Sequence, residues 1–138
     1  VDKLQSIYES AHIELFTPYG LRSLSPRHYQ FQKKYIGSVK HRDSAYHQGT
    51  VWAWLFLPFV KTWLRAFPEK SIAEKIEHIS FLTNSFRNGY QKGYIASIAE
   101  IWDGDMPHFP KGAPAQAWSV GALYSIEQII TELEGEKP

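Results

Sequence analysis

The sequence predicts an all-α fold of about four helices, with two long loops gathered at one end. Three observations carry this. Apolar residues recur at helical spacing in four stretches, two long irregular segments (residues 14–48 and 89–114) separate them, and one short connection runs from Phe67 to Lys70. Helices joined in sequence alternate in direction, so both long loops fall at the same end and the short connection falls at the other.

The first helix is expected over residues 2–13, where Leu4, Ile7, Tyr8 and Ala11 share a face and Pro18 with Gly20 stops the pattern. Thr50 opens the second, "TVWAWLFLPFVKTWLRAF", which is apolar nearly all round until Lys61; Pro58 predicts a kink, and such a helix is buried on every side. A helix of that kind asks for more neighbours than four helices supply, so the domain reads as incomplete. Ser71 and Glu74 have capping-box spacing ahead of a stripe of Ile72, Ile76, Ile79, Leu82 and Phe86, and Gly89 closes this third helix. The last helix is expected over 115–133, with Trp118, Ala122, Ile126, Ile129 and Leu133 facing inward.

At 138 residues the chain fits one domain, read here as a single partial domain over 1–138. Fifteen Lys and Arg against fourteen Asp and Glu give no global attraction for nucleic acid or an acidic membrane, and neither is expected as a partner. The longest apolar run, Val51 to Val60, is half of the ~20 residues that a membrane span needs. Absence of cysteine excludes disulfides, thiolate-zinc sites and thiol nucleophiles, and the cytoplasm is the expected location. The chain begins at Val1 with neither an initiating Met nor a signal peptide, and so reads as processed, trimmed or a piece of something longer. Aromatic residues are abundant, at 15%, and many Trp and Tyr fall in the loops, where amphipathic rings suit flat ligands such as sugars or bases.

The densest chemistry lies in "IAEIWDGDMPHFP", residues 98–110. Glu100, Asp103 and Asp105 crowd three carboxylates beside Trp102 and His108. General acid/base work on a polar substrate over an aromatic platform is one reading; a tight Asp-Gly turn is the other. Ser97 and Glu100 also scan as a capping box, but Gly104 and Pro107 leave no room for a helix after it. A calcium loop needs further ligands where Met106 and Pro107 stand, and His41, Asp43 and His47 match no helical zinc pair, so no metal is expected. Between Arg22 and Arg42 lie six Lys or Arg, two His and no acid, interleaved with Tyr29, Phe31 and Tyr35; this mix reads either as a nucleic-acid surface or as a loop balancing the acidic segment, and the near-neutral total favours the loop. "YHQGTVWAW" sets His47 and Gln48 just ahead of a helix, and "PAQAWS" repeats the arrangement with Gln116.

Four stretches in order, "TPYGLRSLSP" at 17–26, "RDSAYHQGTVWAWLFLPF" at 42–59, "SIAEIWDGDMPHFPKG" at 97–112 and "PAQAWSV" at 114–120, resemble the C-terminal glucosidase region of glycogen debranching enzymes, the amylo-α-1,6-glucosidase part. The resemblance spans most of the chain. It implies the last third of an (α/α)6 barrel and inverting hydrolysis of α-1,6-linked glucose at branch points of glycogen or limit dextrin, without metal or organic cofactor. It also implies Glu100 as the general base. Tyr19, Arg22, Tyr46, His47, Gln48, Trp52, Trp102, Asp103, Asp105, His108, Gln116 and Trp118 are implied as substrate-pocket residues, with branched α-glucan as the partner. The family usually has proline at Ala53 and often cysteine at Ala113, two packing changes. Its general acid is an aspartate upstream of the matching region, so this chain by itself is expected to be inactive. A non-catalytic glucan-binding or assembly module of the same ancestry is the alternative, and self-association through exposed helix faces is expected.

Overall fold

The computed structural model describes residues 3–89 and 97–136. Five helices and a small sheet make up the described residues: α1 (Lys3–Leu15), β1 (Phe16–Thr17), β2 (Gly20–Arg22), α2 (Val39–Tyr46), β3 (Val51–Trp52), a 3-10 turn (Ala53–Leu55), α3 (Phe56–Ala66), α4 (Ile72–Gly89), β4 (Ile101–Trp102), β5 (Pro110–Lys111) and α5 (Ala117–Gly135).

This corrects the expected fold class. The described residues are not all-α, nor read as the last third of an (α/α)6 barrel: they carry an antiparallel five-stranded sheet in the order β1-β2-β3-β4-β5. The register sets Leu21 opposite Trp52, Trp52 opposite Ile101, and Trp102 opposite Pro110. Each strand has only two or three residues, too few for a period of two to show in a sequence. Strands this short are held by what packs on them, and Val51 and Ile101 are fully buried.

The remaining elements deviate for equally local reasons. Thr50 does not open a helix; Val51 and Trp52 are sheet residues, and the helix proper starts at Phe56. Pro58 then sits in the first turn, where its missing N–H costs nothing, and α3 runs on as one helix. Nor is α3 buried on every side: Phe56, Phe59, Val60, Trp63 and Ala66 are buried, while Pro58, Lys61 and Arg65 are exposed. α2 has no apolar stripe, only Ala45 being buried, and its one local signal is Ser38, whose side chain caps the His41 N–H. α4 begins as expected, with the Ser71 N–H donating to Glu74 Oε2 at 2.9 Å and the Glu74 N–H returning to Ser71 Oγ at 3.3 Å. These bonds, with Lys70, hold the Glu74 carboxyl down at about 2, the Lys70 contact being the largest cause.

α1 packs on α3, α3 and α4 pack on α5, and the 3-10 turn packs against both β2 and α5. Phe56, Val60, Ile79, Leu82 and Ile126 form the centre of the core. The inner face of α5 is Ser119, Ala122, Leu123, Ile126 and Ile130; Trp118, expected inside, is half exposed. The sheet joins the C-terminal end of α1 to the N-terminal ends of α3 and α5, and so brings segments of both long loops together.

Candidate active site

Glu100 ends the stretch 97–100 that leads into β4. Its N–H donates to the Ala113 carbonyl at 2.9 Å, continuing the β4–β5 pairing past the strands. The Ala113 N–H turns to the Glu100 side chain and donates to Oε2 at 2.9 Å. Gly112, at φ 69°, makes that turn; a Cβ there would lie 2.5 Å from Oε2. The other oxygen, Oε1, accepts a hydrogen bond from the Tyr46 hydroxyl. Two of the carboxylate's roughly four acceptor positions are thus filled, and Glu100 itself is half-buried.

Tyr46 is the last residue of α2, and its ring meets Trp52 edge-on at 4.8 Å, His47 at 4.8 Å and Tyr35 at 5.8 Å. Burial, then the bond to Glu100, pushes its phenol up to about 12, so it remains a donor at neutral pH. Beyond it lies an aromatic cleft of about 190 Å³ lined by Ser23, His47, Trp52, Trp54, Leu55 and Trp118. The His47 ring stacks on Trp52 at 5.4 Å and 6°, Trp118 approaches Trp52 edge-on at 5.9 Å, and the Trp52 indole N–H is held by Thr50 Oγ1 at 3.0 Å. Tyr46 is the common neighbour of this cleft and of the carboxylate.

A second set of the sequence-predicted residues is built into the fold instead. Trp102 is buried in the core, stacked on Tyr19 at 5.7 Å and 10°, with Phe86 on its edge. Arg22 Nε donates to the Gly104 carbonyl at 2.7 Å and Nη1 to the Phe16 carbonyl at 3.1 Å. Asp103 is 2% exposed; its Oδ1 accepts the Tyr35 N–H at 2.8 Å, and Lys34 Nζ lies 3.7 Å from Oδ2. Asp105 accepts the N–H of Met106 at 2.9 Å, as a turn aspartate does. His108 adopts φ 57° after the cis Met106–Pro107 peptide, and its Nδ1 lies 2.8 Å from the Asp103 carbonyl. A carbonyl only accepts, so Nδ1 carries the proton; burial holds this imidazole below its usual pKa. Gln48 and Gln116 are half-buried, with main-chain bonds to Ala45 and Gln32 and to Ile98 respectively.

The structure therefore brings together Glu100, Tyr46, His47, Trp52 and Trp118, and sets Tyr19, Arg22, Trp102, Asp103, Asp105 and His108 around and beneath them. Sequence reasoning gave no site role to Gly112, Ala113 or Trp54, and read Tyr35 only as one of the aromatics in the basic 22–42 segment. Gly112 did leave a signal, as a glycine just past a proline-bounded turn. Among the described residues no group of three or more His, Asp or Glu side chains comes together in a way that holds a metal ion.

A family model described as amylo-alpha-1,6-glucosidase matches residues 1–125, which include every residue of this site. The chain belongs to the amylo-alpha-1,6-glucosidase family. It is a region of a glycogen debranching-type glycoside hydrolase, corresponding to the C-terminal region of the debranching enzymes, and its family acts on glucan. A comparison with curated proteins gives no match.

Proposed function

We propose that this amylo-alpha-1,6-glucosidase region takes part in hydrolysing α-1,6-linked glucose at branch points of glycogen or limit dextrin with inversion, and that Glu100 is the general base. The observation that carries this is the clamp on Glu100: one oxygen held by the Tyr46 hydroxyl, the other by the Ala113 N–H, beside an aromatic cleft. In an inverting reaction an acid protonates the leaving oxygen as the C1–O bond breaks. A water attacks C1 from the opposite face, and the base takes its proton; acid and base stand about 6.5–9.5 Å apart to admit that water. Glu100 takes the water proton and releases β-glucose. Trp118 and His47 hold the sugar, the exposed indole against its apolar face and the imidazole to a hydroxyl, while the buried Trp52 backs the His47 ring.

Following the family resemblance, the acid is assigned to an aspartate upstream of this region, and the chain acts as one partial domain of a longer cytoplasmic protein. Among the described residues no helix is long and apolar enough to cross a membrane. Trp118, Val120 and Tyr124 on α5 and Ile7 and Ile13 on α1 are exposed, and the isolated chain is expected to self-associate through them. Sedimentation of a monomer at high concentration would count against that.

α-Glucosyl fluoride separates base from acid, because fluoride leaves without being protonated. The chain is expected to hydrolyse it to β-glucose, and Glu100→Gln to lose roughly 100-fold or more of the rate. Equal rates in the two proteins would remove Glu100 from the base role. The cleft lining holds no carboxylate, which favours one other reading, a glucan-binding module without catalysis. Oligosaccharide binding with no fluoride hydrolysis in either protein is that reading's outcome.

A further inference from the structure

α3 leads away from the sheet beside Glu100, and its eleven residues span about 16 Å. At its far end, between the C-terminus of α3 and the first half of α4, lies a groove of about 430 Å³ lined chiefly by Trp63, Phe67, Lys70, Glu77, His78 and Phe81. That volume is in the range of ligand clefts, roughly 300–1,000 Å³. Its wall is aromatic: Trp63 lies on the His78 ring at 4.1 Å and 21°, and Phe67 leans on Trp63 at 5.7 Å. Tyr8, from α1, fixes the imidazole through His78 Nε2 at 2.9 Å. Phe81 presents an open ring on the rim, 70% exposed.

The polar groups of this groove are only partly used by the fold. Lys70 bonds Glu74 at 2.9 Å and keeps further N–H donors, and the exposed carboxylate of Glu77 has no hydrogen bond or ion pair among the described residues. Two carboxylates against one ammonium disfavour an anion, and these charges disfavour a purely apolar partner. An open aromatic face beside unspent donors and acceptors suits a ring that is apolar on its faces and hydroxylated round its edge.

We propose that this groove is a second glucan-binding site, which holds one strand of the branched polymer while another end of the same molecule reaches Glu100. The inference rests on the glucan reading of the chain. Two attachments to one polymer make the second contact intramolecular and raise overall affinity without new contacts at the first site.

The test is retardation of the chain during electrophoresis through gels containing glycogen, for the unaltered protein and for Phe81→Ala with Glu77→Gln. Both groove positions are exposed, and melting curves check that the fold is kept. The apparent dissociation constant for glycogen is expected to rise roughly five- to ten-fold in the groove variant. A groove variant retarded as strongly as the unaltered chain overturns the second site and leaves the glucan reading standing. No retardation of the unaltered chain overturns both.

Discussion

Replacing Gly112 by alanine presses directly on the candidate base. The residue stands at φ 69°, which costs an L side chain about 1–2 kcal/mol. The new Cβ would lie 2.5 Å from Glu100 Oε2 and 3.0 Å from Glu100 Cβ, where ordinary contact begins at 3.4 Å. Either the carboxylate or the 112–113 backbone must retreat by nearly an ångström, and the 2.9 Å bond from the Ala113 N–H is the contact that gives way. A displacement of ~1 Å at a reacting group can lower a rate about 100-fold. Hydrolysis of α-glucosyl fluoride by Gly112→Ala is therefore expected to fall by one to two orders of magnitude, and the melting temperature to fall by about 3–10 °C. Gly121→Ala is the control. No atom lies within 4 Å of a Cβ there, the residue is inside α5, and the substitution is expected to stabilise by ~0.5–1 kcal/mol with no effect on rate. A Gly112→Ala protein with unaltered rate and melting temperature would refute the clamp.

Tyr46→Phe removes the hydroxyl that donates to Glu100 Oε1, a bond to a charged acceptor worth about 1.5–3 kcal/mol. The expected result is a roughly 10- to 100-fold lower kcat; a raised KM at unchanged kcat would show that Tyr46 holds substrate and does not orient the carboxylate. Burial is the first cause that holds His78 and His108 below the ordinary 6.5. Each then binds its proton more weakly folded than unfolded, so the unfolded chain takes up more protons as pH falls through that value, and stability drops with it. The melting temperature is expected to be level above pH ~7.5 and to fall below about 6.5, less steeply in His78→Gln. A melting temperature that rises on acidification would contradict this.

The helices that the sequence made legible are those with a stripe and a cap. Ser71, Glu74 and the Ile79–Leu82–Phe86 face specify α4 without help from the rest of the chain. The sheet was illegible because its strands borrow their stability from side chains far away in sequence: Leu21 faces Trp52, and Trp52 faces Ile101, across gaps of about thirty and fifty residues. α2 was illegible because it buries almost nothing. Within the site, residue type pointed to Glu100 and to the aromatic ring set, but not to what each ring does. Trp52 and Trp102 are both buried tryptophans in two-residue strands; one lines the cleft and the other fills the core, and only their neighbours separate them.

The three carboxylates of the 98–110 stretch share a short segment because they do three different things. Asp103 is buried and accepts the Tyr35 N–H, which fastens the segment after β2 onto the β4–β5 turn. Lys34 Nζ adds bonds to the carbonyls of Asp105 at 3.3 Å and Met106 at 3.2 Å, so the basic loop is spent in part on holding the acidic turn. Tyr35, pinned in this way, packs on Tyr46, and Tyr46 holds Glu100. Asp105 closes its own turn. A loop carboxylate by itself would wander farther than the ~0.5 Å that a catalytic group tolerates. Glu100 is fixed from both sides, by Ala113 through the strand pairing and by the Asp103–Tyr35–Tyr46 contacts through packing, and that double support is what the interruption between the helices provides.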